Sequence, residues 1–452
     1  MKASSSTLNI KNQKLFHFTQ GLSVDKELYT QEIRVQKAWA GALFQGGYLT
    51  KKECDDLLFH LDQACQKMSD GSFPWSEADE DIHMNLERYL TEKTGEPGKK
   101  IHLGRSRNDL IATTLRLYVN ETLADCKKLV RNLIQSVISK SEAWSDILVP
   151  GLTHTQSGKV GSFGHMFLSH GWALERDNQR LSFTRSNSLK SLPLGAGPFS
   201  GTWLKNLDLK SLATELGFEQ PLQHAYDAVG DRDFMVEALQ NWSLLASHLS
   251  RLCEEIIFWS SGPVNVLSLP TEWSTGSSVM PNKRNPDICE IVRAKCSGII
   301  GGSQQACSII RSVLPSYGSD LHELKKEFFR LKDELYQCLD ILPNLILGLE
   351  INQAKAARLL ESGHILATDI ADLLCQKGMT FRQAWQQTTA WTKEADAKSC
   401  QIHELESVRQ ITDVTPDFQY FRNKCNLSGG CGHLALSESI ETLISRLNQE
   451  SL

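Results

Sequence analysis

The thirteen residues TGSSVMPNKRNPD (275–287) hold two prolines, a glycine, two adjacent serines, Lys283, Arg284 and Asn285. A connection that only turned the chain would need neither the lysine nor the serines. Ser277 stands beside a glycine, Lys283 follows six residues later and Asn285 eight later. A hydroxyl, an ammonium and an amide thus share a segment that can close over a ligand. Two other segments carry similar chemistry. In HLGRSRND (102–109), Asn108 or Asp109 can cap a following helix, but Arg105 and Arg107 oppose the helix dipole, at a cost of a few tenths to about 1 kcal/mol. An anion should therefore face them, either a neighbouring Asp or Glu or a substrate carboxylate. In PGLTHTQ (150–156), Thr153 and Gln156 read as a capping box. That places His154 at a first helical position, where the local positive potential lowers its pKa and suits it to proton exchange near neutrality.

Together these junctions make an anion site with proton-transfer groups. For a dicarboxylate, the chemistry permitted is removal of a proton next to a carboxylate, the doubly charged aci-carboxylate being stabilised by helix termini, Lys283 and amide donors. No residue group suggests a nucleotide fold, a metal hydrolase or a nucleophile elbow.

The elements that must hold these loops are long helices. Proline is absent from 98–149, 151–192, 222–262 and 316–342, and a proline inside a helix costs about 3 kcal/mol. Apolar residues recur there at alternating steps of four and three: Val119, Leu123, Cys126, Val130, Leu133, Val137; Ala238, Trp242, Leu245, Leu249, Leu252, Ile256, Trp259; and Leu321, Leu324, Phe328, Leu331, Leu335, Cys338, Leu342. Each set is a helical seam. Flanking residues such as Ile257 and Phe258 widen the face beyond a coiled-coil stripe, which suggests burial on more than one side and a helical oligomer. Before residue 106 the elements are shorter and broken by turn clusters; after 358 shorter amphipathic helices resume, ending in one from about Ser437.

Composition narrows the class. The 452 residues allow two or three domains. With 48 Lys plus Arg against 53 Asp plus Glu, the net charge of −5 gives no reason to expect nucleic acid or an acidic membrane as partner. Twelve cysteines without a CxxC pair, and an N-terminus lacking a secretory apolar core, suggest free thiols in a reducing cytoplasm. Cys425, Cys431 and His433 lack the paired spacing and fourth ligand that zinc wants, so no metal is expected. Apart from a serine run at 4–6 there is no low-complexity segment.

GSSVMPNKRNP resembles the signature loop of the fumarase and aspartase superfamily. HLGRSRND, with LPLGAGPFSGT (192–202) and DAVGDRDF (227–234), resembles the argininosuccinate lyase family in particular, and the likeness continues through DEDIHMNLERYL (79–90) and SGGCG (428–432). The resemblance implies an all-α, three-domain fumarase/aspartase-like fold. On the boundaries read above, these are an N-terminal mainly helical domain (1–106), a central long-helix bundle that builds a tetrameric core (107–358) and a small C-terminal helical domain (359–452). It also implies a homotetramer whose active sites each draw on three subunits, and elimination from argininosuccinate to give arginine and fumarate, without metal or cofactor.

By this likeness Ser277 is the base that takes the succinyl proton, helped by Lys283 and amides that favour its alkoxide, and His154 belongs to the acid side or a relay to it. The reverse assignment of Ser277 and His154 stays open. Arg107, Asn108, Thr153 and Asn285 bind substrate, the last three at its succinyl portion; Lys283 also steadies the carbanionic intermediate. Tyr317 and Lys325, in YGSDLHELK (317–325), match the arginine side. His322, a further substrate contact, stands where the family has glutamine, and Gly21 where it has a substrate-contacting serine. Two rivals are a superfamily lyase acting on another N-succinyl compound such as adenylosuccinate, and a crystallin-like structural protein. The GRSRND block and the lack of a purine-binding feature oppose the first; retention of His154, Ser277 and Lys283 opposes the second.

Overall fold

The seams read from the sequence lie buried on long helices. The structure, a computed structural model, describes residues 13–361, 363–411 and 417–449; the serine run and the extreme N-terminal residues fall outside these. All six seam residues from Val119 to Val137 are fully buried on the helix Arg107–Ala143. Those from Ala238 to Trp259 are buried on Asp233–Ser260, and those from Leu321 to Leu342 on Asp320–Gly348. With Phe163–Ser188 and Asp287–Ile310, these helices run from 24 to 37 residues. Among the described residues, strands form only four two-stranded pairs, so the class is all-α.

Pro343 departs from expectation. The helix Asp320–Gly348 runs through it rather than ending before it. The turn that follows buries Leu345 and Ile346 completely; each such side chain contributes about 1.5–3 kcal/mol, enough to offset the roughly 3 kcal/mol penalty of the proline.

The described residues divide into two units. The first is drawn from Met1–Lys127, Arg180–Ser243 and Gly298–Glu334. Its core joins Trp39 and Leu43 of helix Tyr29–Gln45, Leu57 and Leu61 of Lys51–Ser69, and Leu86 and Leu90 of Ile82–Thr94, with Leu192, Leu212 and Phe218. Thr50 and Glu53 form a capping box that starts Lys51–Ser69, satisfying two amides that would otherwise lack partners.

The second unit is drawn from Lys128–Gln179, Leu244–Ser297 and Leu335–Leu452. One of its cores gathers Ile370, Leu374, Trp391, Ile402, Val408 and Phe421. It also contains two antiparallel hairpins, Leu148–Thr153 with Gln156–Ser162 and Thr275–Gly276 with Arg284–Asn285. No helix among the described residues is long and apolar enough to cross a membrane.

Candidate functional site

Five of the residues selected from sequence line one cavity of about 300 Å³ in the first unit: Arg107, Asn108, Tyr317, His322 and Lys325. Asp25, Glu80, Asp81 and His83 share its wall. The chain delivers Arg107 and Asn108 by turning at Gly104, whose φ is +74°. A Cβ there would stand 2.3 Å from Leu204 Cδ1, so only glycine fits. Ser106 then opens the helix: its N–H donates to Asp109 Oδ1 at 2.8 Å, and its Oγ accepts the N–H of Asn108 at 3.2 Å. The cap is thus Ser106, where Asn108 or Asp109 was expected. Asp109 is buried, and its Oδ2 accepts the N–H groups of Gly195 (3.0 Å) and Gly197 (2.8 Å), tying HLGRSRND to LPLGAGPFSGT. Tyr317 precedes the helix Asp320–Gly348, on whose first turns His322 and Lys325, three apart, share a face.

The anion opposite Arg107 is a pair of protein carboxylates. Its Nη1 donates to Glu80 Oε2 at 3.1 Å and Asp81 Oδ2 at 2.9 Å, while the side chain keeps 41% of its surface open. Burial opposes charge on Asp81, but His83 and Arg107 prevail and hold its carboxyl below the usual range. Arg105, by contrast, is buried and donates to Gln36 Oε1 at 2.6 Å. Behind the cavity, His83 Nδ1 lies 2.8 Å from Glu32 Oε1; burial disfavours the charged imidazole, yet the Glu32 carboxylate raises its pKa above the ordinary value. The Lys325 ammonium is ion-paired with Asp25, and Tyr317 Oη shares a hydrogen bond with His322 Nε2. Burial pushes the Tyr317 phenol up to about 12, and burial followed by the charge of Lys325 lowers His322. The Tyr317–His322 pair is therefore uncharged near neutrality.

The remaining selected residues occupy the two hairpins of the second unit. Thr153 pairs with Gln156 across a tight turn whose central residues, His154 and Thr155, have φ of 54° and 59°. The expected capping box is thus a two-residue β-turn, and His154 is an exposed turn residue with no helix starting at it. A Thr-x-x-Gln pattern suits either structure; the strand pairing of Leu148–Thr153 with Gln156–Ser162 decides it. In the second hairpin Thr275 pairs with Asn285 and Gly276 with Arg284, so a short ladder anchors the segment expected to be a free loop. Ser277 Oγ accepts the N–H groups of Val279 (3.2 Å) and Met280 (3.1 Å); Lys283 is exposed, and Asn285 Nδ2 donates to Thr275 Oγ1 at 3.4 Å. A helix follows, from Asp287. Among the described residues no hydrogen bond joins the two hairpins. A larger cavity of about 540 Å³ in the same unit, lined by His165, Arg176 and Arg251 among others, contains none of the selected residues, so volume alone does not mark the site.

A family model described as Lyase matches residues 8–301, and one described as Argininosuccinate lyase C-terminal matches 364–420. The argininosuccinate lyase of Lawsonia intracellularis is 35% identical over 441 residues, covering 96% of this chain and 95% of the relative. The chain belongs to the argininosuccinate lyase family. Another member, from Nitrosococcus oceani, is 37% identical over 81% of this chain and 78% of its own length. Among solved structures, an EDDS lyase in complex with formate superposes with a TM-score of 0.80 at 20% identity, covering 94% of this chain and 87% of that one. A class II fumarase from Schistosoma mansoni gives 0.71 at 16% identity, covering 86% and 88%. These two show the shared fold.

Within this lyase family member, sequence reasoning missed Asp25, Glu80, Asp81 and His83 as cavity residues. A signal existed for three of them: DEDIH places acids and a histidine directly at the start of helix Ile82–Thr94, where Asp81 is the N-cap, accepting the N–H of Met84 at 2.8 Å. Asp25 gave none, because its partner Lys325 lies 300 residues away in the chain.

Proposed function

We propose that the chain is a carbon–nitrogen lyase that cleaves argininosuccinate to arginine and fumarate in arginine biosynthesis, in the cytoplasm. The observation that carries this reading is the first unit's cavity, where two cations, Arg107 and Lys325, and three carboxylates, Asp25, Glu80 and Asp81, stand with Asn108, Tyr317 and His322. The wall thus carries both charge signs and neutral polar groups, and Arg107, its side chain 41% exposed, is the cation most open to a substrate that is itself anionic at one end and cationic at the other.

The elimination begins when Ser277 removes a proton from the succinyl carbon adjacent to the one bearing the leaving nitrogen. The electron pair passes to the carboxylate, giving an aci-carboxylate that Lys283 and amide donors stabilise. Its return breaks the C–N bond, and the guanidine nitrogen leaves with the bonding pair. A serine hydroxyl is a weak acid; the Val279 and Met280 N–H groups directed at Ser277 Oγ favour its alkoxide. His154 serves the acid side or a relay to it. Guanidine is strongly basic and soon gains a proton. Thr153, Asn108 and Asn285 hold the succinyl portion; Tyr317, His322 and Lys325 hold the arginine portion.

The reading includes a homotetramer whose active sites each draw on three subunits, and three domains at 1–106, 107–358 and 359–452. Phe183, Leu244, Ile291 and Leu347, exposed on the long helices, support association. The test is fumarate release, followed by ultraviolet absorbance, from argininosuccinate and separately from adenylosuccinate. Turnover of argininosuccinate, lowered by about 100- to 10,000-fold in Ser277→Ala with the helical circular dichroism intact, is the expected result. No fumarate from argininosuccinate, or undiminished turnover by that variant, would overturn the reading or the role of Ser277 respectively.

A further inference from the structure

Gly21 is buried against His322 and Asp25, two residues of the first unit's cavity wall, and its backbone gives no reason for a glycine. Its φ of −103° and ψ of −12° are open to any residue. It occupies the N-cap of the short helix Leu22–Asp25 and provides no side-chain cap, a position where serine, threonine, aspartate or asparagine is preferred. The reason is space. A Cβ at this position would stand 3.2 Å from His322 Nδ1, 3.3 Å from His322 Cε1 and 3.3 Å from Asp25 Oδ2. Neither neighbour can withdraw freely: the other ring nitrogen of His322 is bonded to Tyr317, and Asp25 is held in a buried ion pair with Lys325.

We propose that Gly21 and His322 form one specificity device, in which the bare α-carbon at 21 leaves the room that the His322 ring occupies, so that Tyr317 can hold the imidazole against the arginine end of the substrate. This rests on the function proposed above. Tyr317 takes Nε2, and Nδ1 lies on the side facing Gly21, so the ring is held between the two. The imidazole is rigid and shorter than a glutamine amide, so its position depends on what flanks it. A side chain at 21 displaces the ring, and with it the contact.

The test is a double-mutant cycle of Gly21→Ser and His322→Gln, measuring kcat and KM for argininosuccinate. Gly21→Ser alone should raise KM about tenfold or more while kcat stays within about threefold. In the His322→Gln background, whose flexible amide can move aside, the same substitution should change KM by less than about threefold. Equal KM factors in both backgrounds would overturn the coupling. Midpoints of thermal unfolding provide a second reading that needs no turnover: Gly21→Ser should lower the midpoint beside His322 and lower it less beside glutamine. Equal shifts again refute the proposal. If Gly21→Ser does not fold, the His322→Ala background should restore folding, and failure there counts against it. A wild-type protein that releases no fumarate defeats the proposed function, while the thermal cycle still decides whether the two positions are coupled.

Discussion

Lys325 and Asp25 form an ion pair in which the two side chains are only 4% and 2% exposed, although 300 residues separate them in the chain. Removing one member strands the other: Asp25→Asn should cost about 3–5 kcal/mol of unfolding free energy in urea titration. The double substitution Asp25→Leu with Lys325→Met should recover most of that, because apolar replacements avoid the desolvation of two charges. It should not recover turnover, since Lys325 lines the cavity. Restored activity in the double variant would remove Lys325 from the site.

Asp109 accepts backbone N–H groups from Ser106, Gly195 and Gly197. In Asp109→Asn the amide nitrogen must face at least one of those donors, leaving a buried N–H unpaired at about 1–3 kcal/mol. The expected result is a lower thermal midpoint, with hydrogen exchange accelerated at 193–202. An unchanged midpoint would show that the two motifs are not held together through this carboxylate.

The buried His83–Glu32 pair makes stability depend on pH. Burial opposes charge on both, but each partner's charge prevails, raising His83 from 6.5 and lowering Glu32 from 4.5. The histidine contribution is complete below about 6.5, the ordinary value, and is lost as pH rises through its higher folded value. The glutamate contribution is complete above about 4.5 and is lost as pH falls through its lower folded value. Urea unfolding of wild type and His83→Gln should therefore differ most between about 4.5 and 6.5, and the difference should shrink as pH rises further. A difference that grows above pH 7 would reverse the assigned direction.

His154 allows chemistry to be separated from folding. It lies at φ 54° in the turn joining Leu148–Thr153 to Gln156–Ser162, a conformation asparagine accepts readily. His154→Asn should leave stability within about 0.5 kcal/mol. If His154 moves a proton, kcat should fall by about 100-fold or more. Unchanged kcat would remove it from the acid–base machinery.

What could be read directly from residues was whatever short-range spacing encodes. The three seams lie buried as their spacing predicts, because the four-three pattern and the helix share one period. Arg107 was marked by its conflict with a helix start, and the structure resolves that conflict with Glu80 and Asp81. Thr153 was misread because four residues cannot distinguish a cap from a turn when both satisfy the same amides. Pro343 sits inside a helix because its local penalty says nothing of the apolar burial beyond it.

The sequence by itself determined the helical class, the motifs of the family and five of the polar residues that line the first unit's cavity. The tertiary structure alone decided which of them share a cavity: that Arg107 and Asn108 stand with Tyr317, His322 and Lys325, that Asp25 neutralises Lys325, and that Gly21 is small because His322 is beside it. The physical reason is range. Periodicity and capping act over a few residues, whereas charge pairing and steric exclusion act between side chains that only the folded chain brings within a few ångströms.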